Sequence, residues 1–330
     1  PMRRVLGENY GWHAYCQALP CDSIKEVEAF YWRMGHLTAL LYLLMARDIH
    51  AENIIAVGAY PALIDLEVLL PPKVAEHYRH HYGKPPDLMR TLVLPNWIRE
   101  HPFAPGFDAG ALAGMDGMSP MKRLCWTEPG TDRMKIAWEN RRLTPGSNRI
   151  RFDGNIIEPA DYESSFRDGF RFGFERIQTE KTYLLSAHSV LQMFRDARAR
   201  LVLRITSEYR RILEHLYAYG AFQSASVEDL FFKHLCIDPD GSGAFHLLAA
   251  AEAEDLRTAN LPLFQACCNE REILDSRGRA IDLQVVESGL EQLMNHIKDN
   301  FNVTNFKLLE GRIAESFTAR RRHLGQGRPK

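Results

Sequence analysis

The sequence predicts an α+β fold that is mainly helical. Apolar residues recur every three to four positions near the N-terminus and over most of the chain after residue 150, which is typical of amphipathic helices. Two short β-type runs, "NIIAVG" and "PALIDLEVLL", lie between these regions around the turn sequence "GAYP". Together these patterns indicate a small β-element attached to a larger helical body.

The first helix is predicted over "CDSIKEVEAFYWRMGHLTALLYLLMA" and is expected to end near Arg47. Ser23 with Glu26 matches the capping-box pattern that begins a helix. The apolar stripe that follows the helical period consists of Val27, Phe30, Tyr31, Met34, Leu37, Leu41 and Leu44. Gly35 lies within this stripe and favours close packing against another element.

The segment after the β-runs, residues 71–150, is richer in Pro and Gly. Its loosest part is "FAPGFDAGALAGMDGMSP". The pattern predicts an irregular connection, and long connections of this kind tend to be functional or mobile.

From residue 151 onward the chain is predicted to be mostly helical. One stripe at helical spacing contains Tyr162, Phe166, Phe170 and Phe174. Further helices are predicted at "SAHSVLQMFRDA", "EYRRILEHLYAYGAF", "SVEDLFFKHLC", "FHLLAAAEAEDLRTA", "VVESGLEQLMNHIKDN" and "NFKLLEGRIAESFTARR". Between them residues 198–206, "RARLVLRIT", favour a strand, on which Arg200, Val202, Arg204 and Thr206 share one face.

Composition excludes several classes of protein. The 41 basic and 42 acidic residues give a formal net charge of −1, which implies no global attraction to nucleic acid or anionic lipid. The longest apolar run is too short for an integral membrane segment, and no signal peptide is visible. The six cysteines include no CxxC pair, which argues against a zinc site or a disulfide framework and favours a cytoplasmic protein.

Polar residues concentrate in residues 47–67, "RDIHAENIIAVGAYPALIDLE". The pattern is D-x-H-x-x-N, then an apolar hairpin, then D-x-E; the candidate residues are Asp48, His50, Asn53, Asp65 and Glu67. Phosphoryl transfer needs a group that orients the acceptor hydroxyl and hard oxygen ligands for Mg²⁺, which this pattern supplies. Ile54, Ile55, Leu63 and Ile64 are expected to anchor the hairpin in the core.

Each of these residues alone also has a purely structural interpretation. Asp48 could cap a helix or turn, and His50 could be a hydrogen-bonded core histidine. The five together, at this spacing and around one predicted hairpin, favour a catalytic site of the kind seen in lipid-kinase-like loops.

Longer sequence segments before and after this motif occur in the same order as in a known family. They are "YGWHAY", "FYWRMGHLTALLYLLMARDIHAENIIAVGAYPALIDLEVLLPP", "NRIRFDGNIIEPADYESSFRDGF", "RLVLRITSEYRRIL" and "NLPLF". This chain resembles the dehydratase domain of the type 2 lanthipeptide synthetases, the LanM family. The resemblance covers nearly the whole chain and is strongest over residues 9–72 and 148–210.

The resemblance implies an enzyme that uses ATP and Mg²⁺ to phosphorylate Ser and Thr in a precursor peptide that carries a leader. The same enzyme then eliminates phosphate, which leaves dehydroalanine or dehydrobutyrine. It also implies a lipid-kinase-like C-terminal lobe with added helices. On this basis residues 1–75 are the catalytic core with the metal-binding hairpin, residues 76–150 an irregular activation-loop-like segment, and residues 151–330 a helical subdomain that carries the elimination residues.

Family residues transfer onto particular positions of this sequence. Those of the kinase step fall on Asp48, His50, Asn53 and Asp65, with Glu67 in the accompanying D-x-E. Asn53 and Asp65 are the expected cofactor-binding residues, and Glu67 is added to them as an expected metal ligand. The elimination pattern R-x-x-x-R-x-T falls on Arg200 and Thr206, with Arg204 between them. Arginine suits this role because it binds phosphate bidentately, although surface salt bridging is the alternative for both arginines.

Parts of the family pattern lie outside this sequence. Kinase-type catalysis needs a phosphate-holding Lys and a covering loop, and neither is found ahead of residue 48. A separate zinc-dependent cyclase domain is also expected in the full-length protein. The chain is therefore expected to be part of a longer protein and inactive when isolated. Asn260 in "NLPLF" replaces the Asp that is common in the family.

Two other functions remain open at this point. One is a different lipid-kinase-like phosphotransferase that acts on a small molecule or a lipid. The other is a non-catalytic fragment that binds a peptide. Incubation with ATP, Mg²⁺ and a precursor peptide containing Ser, Thr and Cys distinguishes them, since the outcomes are phosphorylation, loss of water or binding alone.

Overall fold

The computed structural model describes residues 4–8, 10–75, 86–98, 107–114, 117–143, 146–204, 206–217, 230–237 and 244–326. Helices form the larger part of a mixed α+β fold, as the sequence predicts. The α-helices within these ranges are α1 (Ile24–Leu43), α2 (Glu163–Thr179), α3 (Lys181–Leu184), α4 (Thr206–Leu216), α5 (Ala244–Leu256), α6 (Gly289–Asn300) and α7 (Val303–Gln326). Of the helices in these ranges, none combines the length and the apolar character needed to cross a bilayer.

Most of the strands are short, and every strand pair within the described ranges is antiparallel. The first group comprises β1 (Arg4–Leu6), β2 (Gly11–His13), β3 (Ile54–Val57), β4 (Tyr60–Leu63), β5 (Lys73–Val74), β6 (Trp97–Ile98), β7 (Phe107–Asp108), β8 (Gly117–Thr127) and β9 (Lys135–Leu143). The second group comprises β10 (Arg151–Phe152), β11 (Asn155–Ile156), β12 (Arg198–Leu201), β13 (Phe264–Cys267), β14 (Ile273–Leu274), β15 (Ala280–Ile281) and β16 (Val285–Glu287). The pairs are β1–β2, β3–β4, β5–β16, β6–β7, β8–β9 and β10–β11, and β12–β13–β14–β15 form a sheet.

Helix α1 begins where its capping residue predicts. The Ser23 side chain accepts the Glu26 N–H at 3.3 Å, whereas the Glu26 carboxylate accepts the N–H of Asp22 and not that of Ser23. The helix ends at Leu43, earlier than the expected end near Arg47, because Met45 adopts a left-handed φ of +52° that turns the chain. This turn directs the following residues into the polar motif.

Helices α1 and α2 cross at two glycines. A Cβ added to Gly35 would lie 1.9 Å from the Phe166 carbonyl oxygen, and one added to Gly169 would lie 1.8 Å from that of Trp32. No side chain fits at these distances, so the two backbones touch directly. The expectation that Gly35 serves close packing is confirmed.

Aromatic side chains of α2 fill the core beside this crossing. Phe166, Phe170 and Phe174 are fully buried, which confirms three residues of the predicted stripe. The fourth, Tyr162, ends the 3₁₀ helix before α2 and is only partly buried. Phe166 meets Phe317 of α7 edge-on with ring centroids 5.5 Å apart, and Phe174 stacks on Phe301 at 4.8 Å. The same core supports the start of the polar motif, since Ile49 is 1% exposed.

The expectation of an irregular segment over residues 76–150 is wrong for residues 117–143. There β8 and β9 form a long hairpin, in which Trp126 pairs with Ile136 and Leu124 with Trp138. The alternation of apolar residues at these positions has the period of a strand, and Gly130 at a φ of +80° lies in the turn. Trp126 and Trp138 are exposed.

The predictions for the second half of the chain are confirmed for α2, α4, α5, α6 and α7. "SAHSVLQMFRDA" instead forms the 3₁₀ helix Val190–Phe194, and the strand predicted over 198–206 ends at Leu201. The predicted helices at "EYRRILEHLYAYGAF" and "SVEDLFFKHLC" extend into residues 218–229, which lie outside the described residues. The expected helical subdomain also contains the four-stranded sheet β12–β15.

Candidate active site

An antiparallel hairpin of β3 and β4 brings the chain back beside Asn53, as the sequence predicts. Ile54 pairs with Leu63, and the Ile64 N–H donates to the Asn53 carbonyl oxygen at 3.1 Å. Gly58 lies in the turn at a φ of +54°, a conformation that favours glycine. Asp65 therefore directly follows Ile64, whose backbone N–H is hydrogen-bonded to Asn53.

The expected anchoring of this hairpin is confirmed for one pair of residues and wrong for Ile64. Ile54 is 2% exposed, and Leu63 packs against the main core. Ile64 is 44% exposed, because β4 ends at Leu63 and the chain leaves the hairpin before this residue. The residues around Asp65 consequently lie at the protein surface, where a substrate has access.

The loop that carries Asp48 and His50 is held by its own hydrogen bonds. Asp48 adopts a left-handed φ of +62°, a costly conformation for a residue other than glycine and one that clusters at functional sites. Its carbonyl oxygen accepts the Asn53 side-chain N–H at 2.7 Å. His50 Nδ1 accepts the Glu52 N–H at 3.2 Å, which leaves Nε2 as the nitrogen that carries the proton in neutral His50.

Charged groups converge around Asp48. Burial by neighbouring atoms raises the pKa of the Asp48 carboxyl, Asp65 raises it further, and His50 and Arg200 lower it. Asp48 still contacts solvent. These influences link Asp48 electrostatically to three other predicted site residues, although Arg200 lies far from the others in sequence.

Arg200 joins this cluster through Glu67. The Arg200 N–H donates to the Glu67 carbonyl oxygen at 3.1 Å, and the Arg200 guanidinium forms an ion pair with the Glu67 carboxylate. The Glu67 N–H in turn donates to Asp65 Oδ1 at 3.2 Å. The D-x-E motif and the arginine motif, which are far apart in sequence, are therefore connected residue by residue.

Arg204 does not face this site, so the predicted shared strand face is wrong. Strand β12 ends at Leu201, and the Arg204 guanidinium is buried against Glu252, with Nε 3.0 Å from Oε1. Thr206 is exposed and is the first residue of helix α4. The period of two residues fails because the chain leaves the sheet between Arg200 and Arg204.

Asn53 and Asp65 carry side-chain oxygens of the kind that a magnesium site would use. The Asn53 amide N–H is committed to Asp48, which fixes the side chain and leaves its oxygen as the free end. Over the residues that the structure describes, no cluster of three or more His, Cys, Asp or Glu side chains is arranged to hold a metal ion. This donor set suits Mg²⁺, which proteins often hold through one or two side chains together with water and substrate phosphates.

Sequence reasoning missed a buried carboxylate next to the His50 loop. Asp108 is 2% exposed, and its Oδ1 accepts the N–H groups of Asn96 at 2.9 Å and Gly110 at 2.8 Å. Gly110 forms an isolated antiparallel bridge with His50. A Cβ on Gly110 would lie 2.1 Å from the Leu94 carbonyl oxygen, so this position requires glycine.

Two buried arginines surround the same region. Arg320 of α7 binds Glu158 bidentately at 3.0 and 3.1 Å, and its Nη1 lies 3.7 Å from Asp108. Arg149 donates to the Ile157 carbonyl at 3.0 Å and lies 3.4 Å from the Glu158 carboxylate. Burial raises the pKa of Asp108, while hydrogen bonds from Asn96 and Gly110 and the nearby Arg320 oppose that rise. The members of this charged cluster lie between residues 108 and 320, so no local sequence pattern could have predicted it.

Comparison with known families shows the class of protein to which this chain belongs. A family described as "Domain of unknown function (DUF4135)" matches residues 2–267. That match covers more than half of the chain, and the chain belongs to this family.

One curated relative specifies the family further. The "Lacticin 481/lactococcin biosynthesis protein LcnDR2" of Lactococcus lactis subsp. lactis is 25% identical over 285 residues. The alignment covers 83% of this chain but 30% of that relative, so the chain spans under a third of the relative's length. Together with the family match, this similarity supports a relation to the LanM-type lanthipeptide synthetases.

Proposed function

We propose that this domain belongs to a dehydratase that phosphorylates Ser and Thr in a leader-bearing precursor peptide and then eliminates the phosphate. The observation that carries the proposal is the chain of contacts that runs from Arg200 through Glu67 to Asp65 and, by way of Ile64, to Asn53 and Asp48. One cluster then contains acid–base groups, a metal carboxylate and a phosphate-binding cation. The name of LcnDR2, which refers to lacticin 481 and lactococcin biosynthesis, supports a peptide product.

In the phosphorylation step Asp48 orients the Ser or Thr hydroxyl and accepts its proton. A raised pKa makes its carboxylate a stronger base. Asn53 and Asp65 would hold Mg²⁺, which would supply neutralisation of the charge on the ATP phosphates. His50 presents a protonated Nε2 toward the reacting groups. We also propose that the lobe containing the β3–β4 hairpin is arranged as in lipid kinases.

In the elimination step a base removes the Cα proton of the phosphorylated residue. The Cβ–O bond breaks with its electron pair leaving on phosphate, and a Cα=Cβ double bond forms. The Arg200 guanidinium stabilises the charge that develops on the leaving phosphate, as preorganised donors do in other enzymes. Thr206 is assigned to this step by family resemblance. We further propose that the protein is cytoplasmic. A zinc-dependent cyclase would be the partner that closes the thioether rings.

Two variants of the full-length gene product test the assignment. With ATP, Mg²⁺ and the precursor peptide, Asp65→Ala is expected to give unmodified peptide, whereas Arg200→Ala accumulates phosphopeptide. Asp65→Ala spares elimination from a peptide that is phosphorylated beforehand. Loss of one charge-stabilising donor typically costs about 10²–10³ in rate, which mass spectrometry of the peptide detects.

Arg198→Ala is the matched control, since it removes a guanidinium two residues earlier on β12. It is expected to leave both steps intact. Unmodified peptide from Arg200→Ala would mean that Arg200 serves folding or ATP binding, and the two-step assignment would be dropped. Phosphorylation of a lipid or small molecule, or peptide binding without chemistry, would instead support the other two functions.

A further inference from the structure

Glu67 contacts Arg200 at two points. The backbone N–H of Arg200 donates to the Glu67 carbonyl oxygen at 3.1 Å, and Glu67 Oε1 pairs with Nη1 of the guanidinium. On its other side β12 is paired with β13, where Arg200 lies opposite Gln265. The Glu67 backbone therefore lies against the outer edge of this sheet, at β12.

This double contact restricts a long side chain. Arginine has several rotatable bonds and loses rotamer entropy whenever it is held in one geometry. A carboxylate on one nitrogen fixes the direction of the guanidinium, and the remaining N–H groups of its five stay available to an anion. The Arg200 side chain is 23% exposed, so an incoming phosphate can reach it.

The same contact argues against Glu67 as a metal ligand. One of its carboxylate oxygens is already paired with a cation, and a divalent ion on the same carboxylate would repel that cation. Asn53 and Asp65 provide oxygen donors next to the hairpin without such competition. We propose that Glu67 is a positioning residue that aims Arg200 at the phosphate, and that it does not bind Mg²⁺.

This inference rests on the proposed function and assigns Glu67 a role within it. In the full-length gene product, Glu67→Gln is expected to slow elimination from a pre-phosphorylated peptide by about 10-fold, because misplacing a reacting group by about 1 Å has effects of this order or larger. Calorimetry should show weaker binding of the phosphopeptide and unchanged affinity for Mg²⁺. Phosphorylation of the unmodified peptide should continue.

A double-mutant cycle separates positioning from an independent role. In the Arg200→Ala background, adding Glu67→Gln should have no further effect on elimination, since there is no guanidinium left to aim. Glu52→Gln is the matched control: it removes an exposed carboxylate from the neighbouring turn Ala51–Asn53 and should change neither step. Additive losses in the double variant would overturn the proposal.

The measurement of Mg²⁺ affinity can also contradict the positioning role of Glu67. If Glu67→Gln weakens Mg²⁺ binding as strongly as Asp65→Ala does, Glu67 is a metal ligand and the positioning role is wrong. If the unsubstituted protein eliminates no phosphate at all, the proposed function fails. The phosphopeptide and Mg²⁺ affinities then still decide whether Glu67 acts through Arg200.

Discussion

Arg200 and Arg204 lie four residues apart, yet their ion pairs have different surroundings. The Arg200 side chain is 23% exposed and its partner Glu67 is 43% exposed, whereas the corresponding values for Arg204 and Glu252 are 6% and 0%. Water screens the first pair and is excluded from the second. The comparison shows that an arginine pattern alone does not tell which guanidinium is available to a ligand.

The buried pair is satisfied on all sides. Arg204 Nη2 donates to the Leu235 carbonyl at 2.8 Å, and its guanidinium stacks over the Phe245 ring at 4.2 Å. The Tyr209 hydroxyl donates to Glu252 at 2.6 Å. Burial raises the pKa of Glu252, and hydrogen bonding to Arg204 opposes that rise. Arg204 thus joins α4, α5 and the turn His234–Cys236, while Arg200 keeps donors free.

The largest expected effect tests the buried side of this comparison. Arg204→Ala leaves Glu252 without its cation in the core and should lower the free energy of unfolding by about 3–5 kcal/mol. Urea unfolding followed by circular dichroism measures this loss. Replacing both partners, as in Arg204→Met with Glu252→Leu, should recover much of it, because no buried charge remains unpaired. A loss below about 1 kcal/mol for Arg204→Ala would contradict the importance of burial.

A buried histidine gives an effect of intermediate size that depends on pH. His296 is 2% exposed, and its Nε2 donates to the Tyr42 carbonyl at 3.0 Å while Nδ1 accepts from Asn300 at 3.0 Å. Burial lowers the pKa of His296 to about 4. The unfolded chain binds this proton near pH 6.5, so stability is fully present above pH 6.5 and is lost as the pH falls to about 4.

The expected loss over this interval is about 3 kcal/mol. It is measured as the change in urea midpoint between pH 7 and pH 4.5. His296→Gln removes the titrating group and should flatten the profile in this range, although it also lowers stability at pH 7. A profile that stays equally steep in His296→Gln would assign the dependence to other groups.

The smallest expected effect tests the exposed side of the comparison. Arg200→Ala should change the free energy of unfolding by less than about 1 kcal/mol, because partly exposed ion pairs contribute little. Urea unfolding of this variant beside Arg204→Ala gives the direct contrast. Equal losses of unfolding free energy for the two variants would mean that Arg200 also has a structural role. The role of Arg200 in elimination would then be judged from the Glu67→Gln variant, which keeps the arginine.

Local sequence signals predicted the parts of the site that are close in the chain. The Gly58 turn, the apolar runs and Ser23 at the start of α1 act over a few residues, so their geometry follows from neighbouring side chains. The same reasoning failed for residues 198–206, where β-branched residues favoured a strand through Thr206. Tertiary packing of Arg204 against Glu252 ends that strand, and such packing overrides local propensity.

The sequence by itself determined the order of polar groups from Asp48 to Glu67 and the hairpin that returns Asp65 to Asn53. The tertiary structure alone decided that Arg200 pairs with Glu67, that Arg204 turns into the core and that Asp108 supports the bridge to His50 through Gly110. Arg200 and Glu67 are 133 residues apart, and Arg320 and Glu158 are 162 apart. Contacts over such separations depend on how whole elements pack, because no local pattern specifies which distant charge will fill a given place.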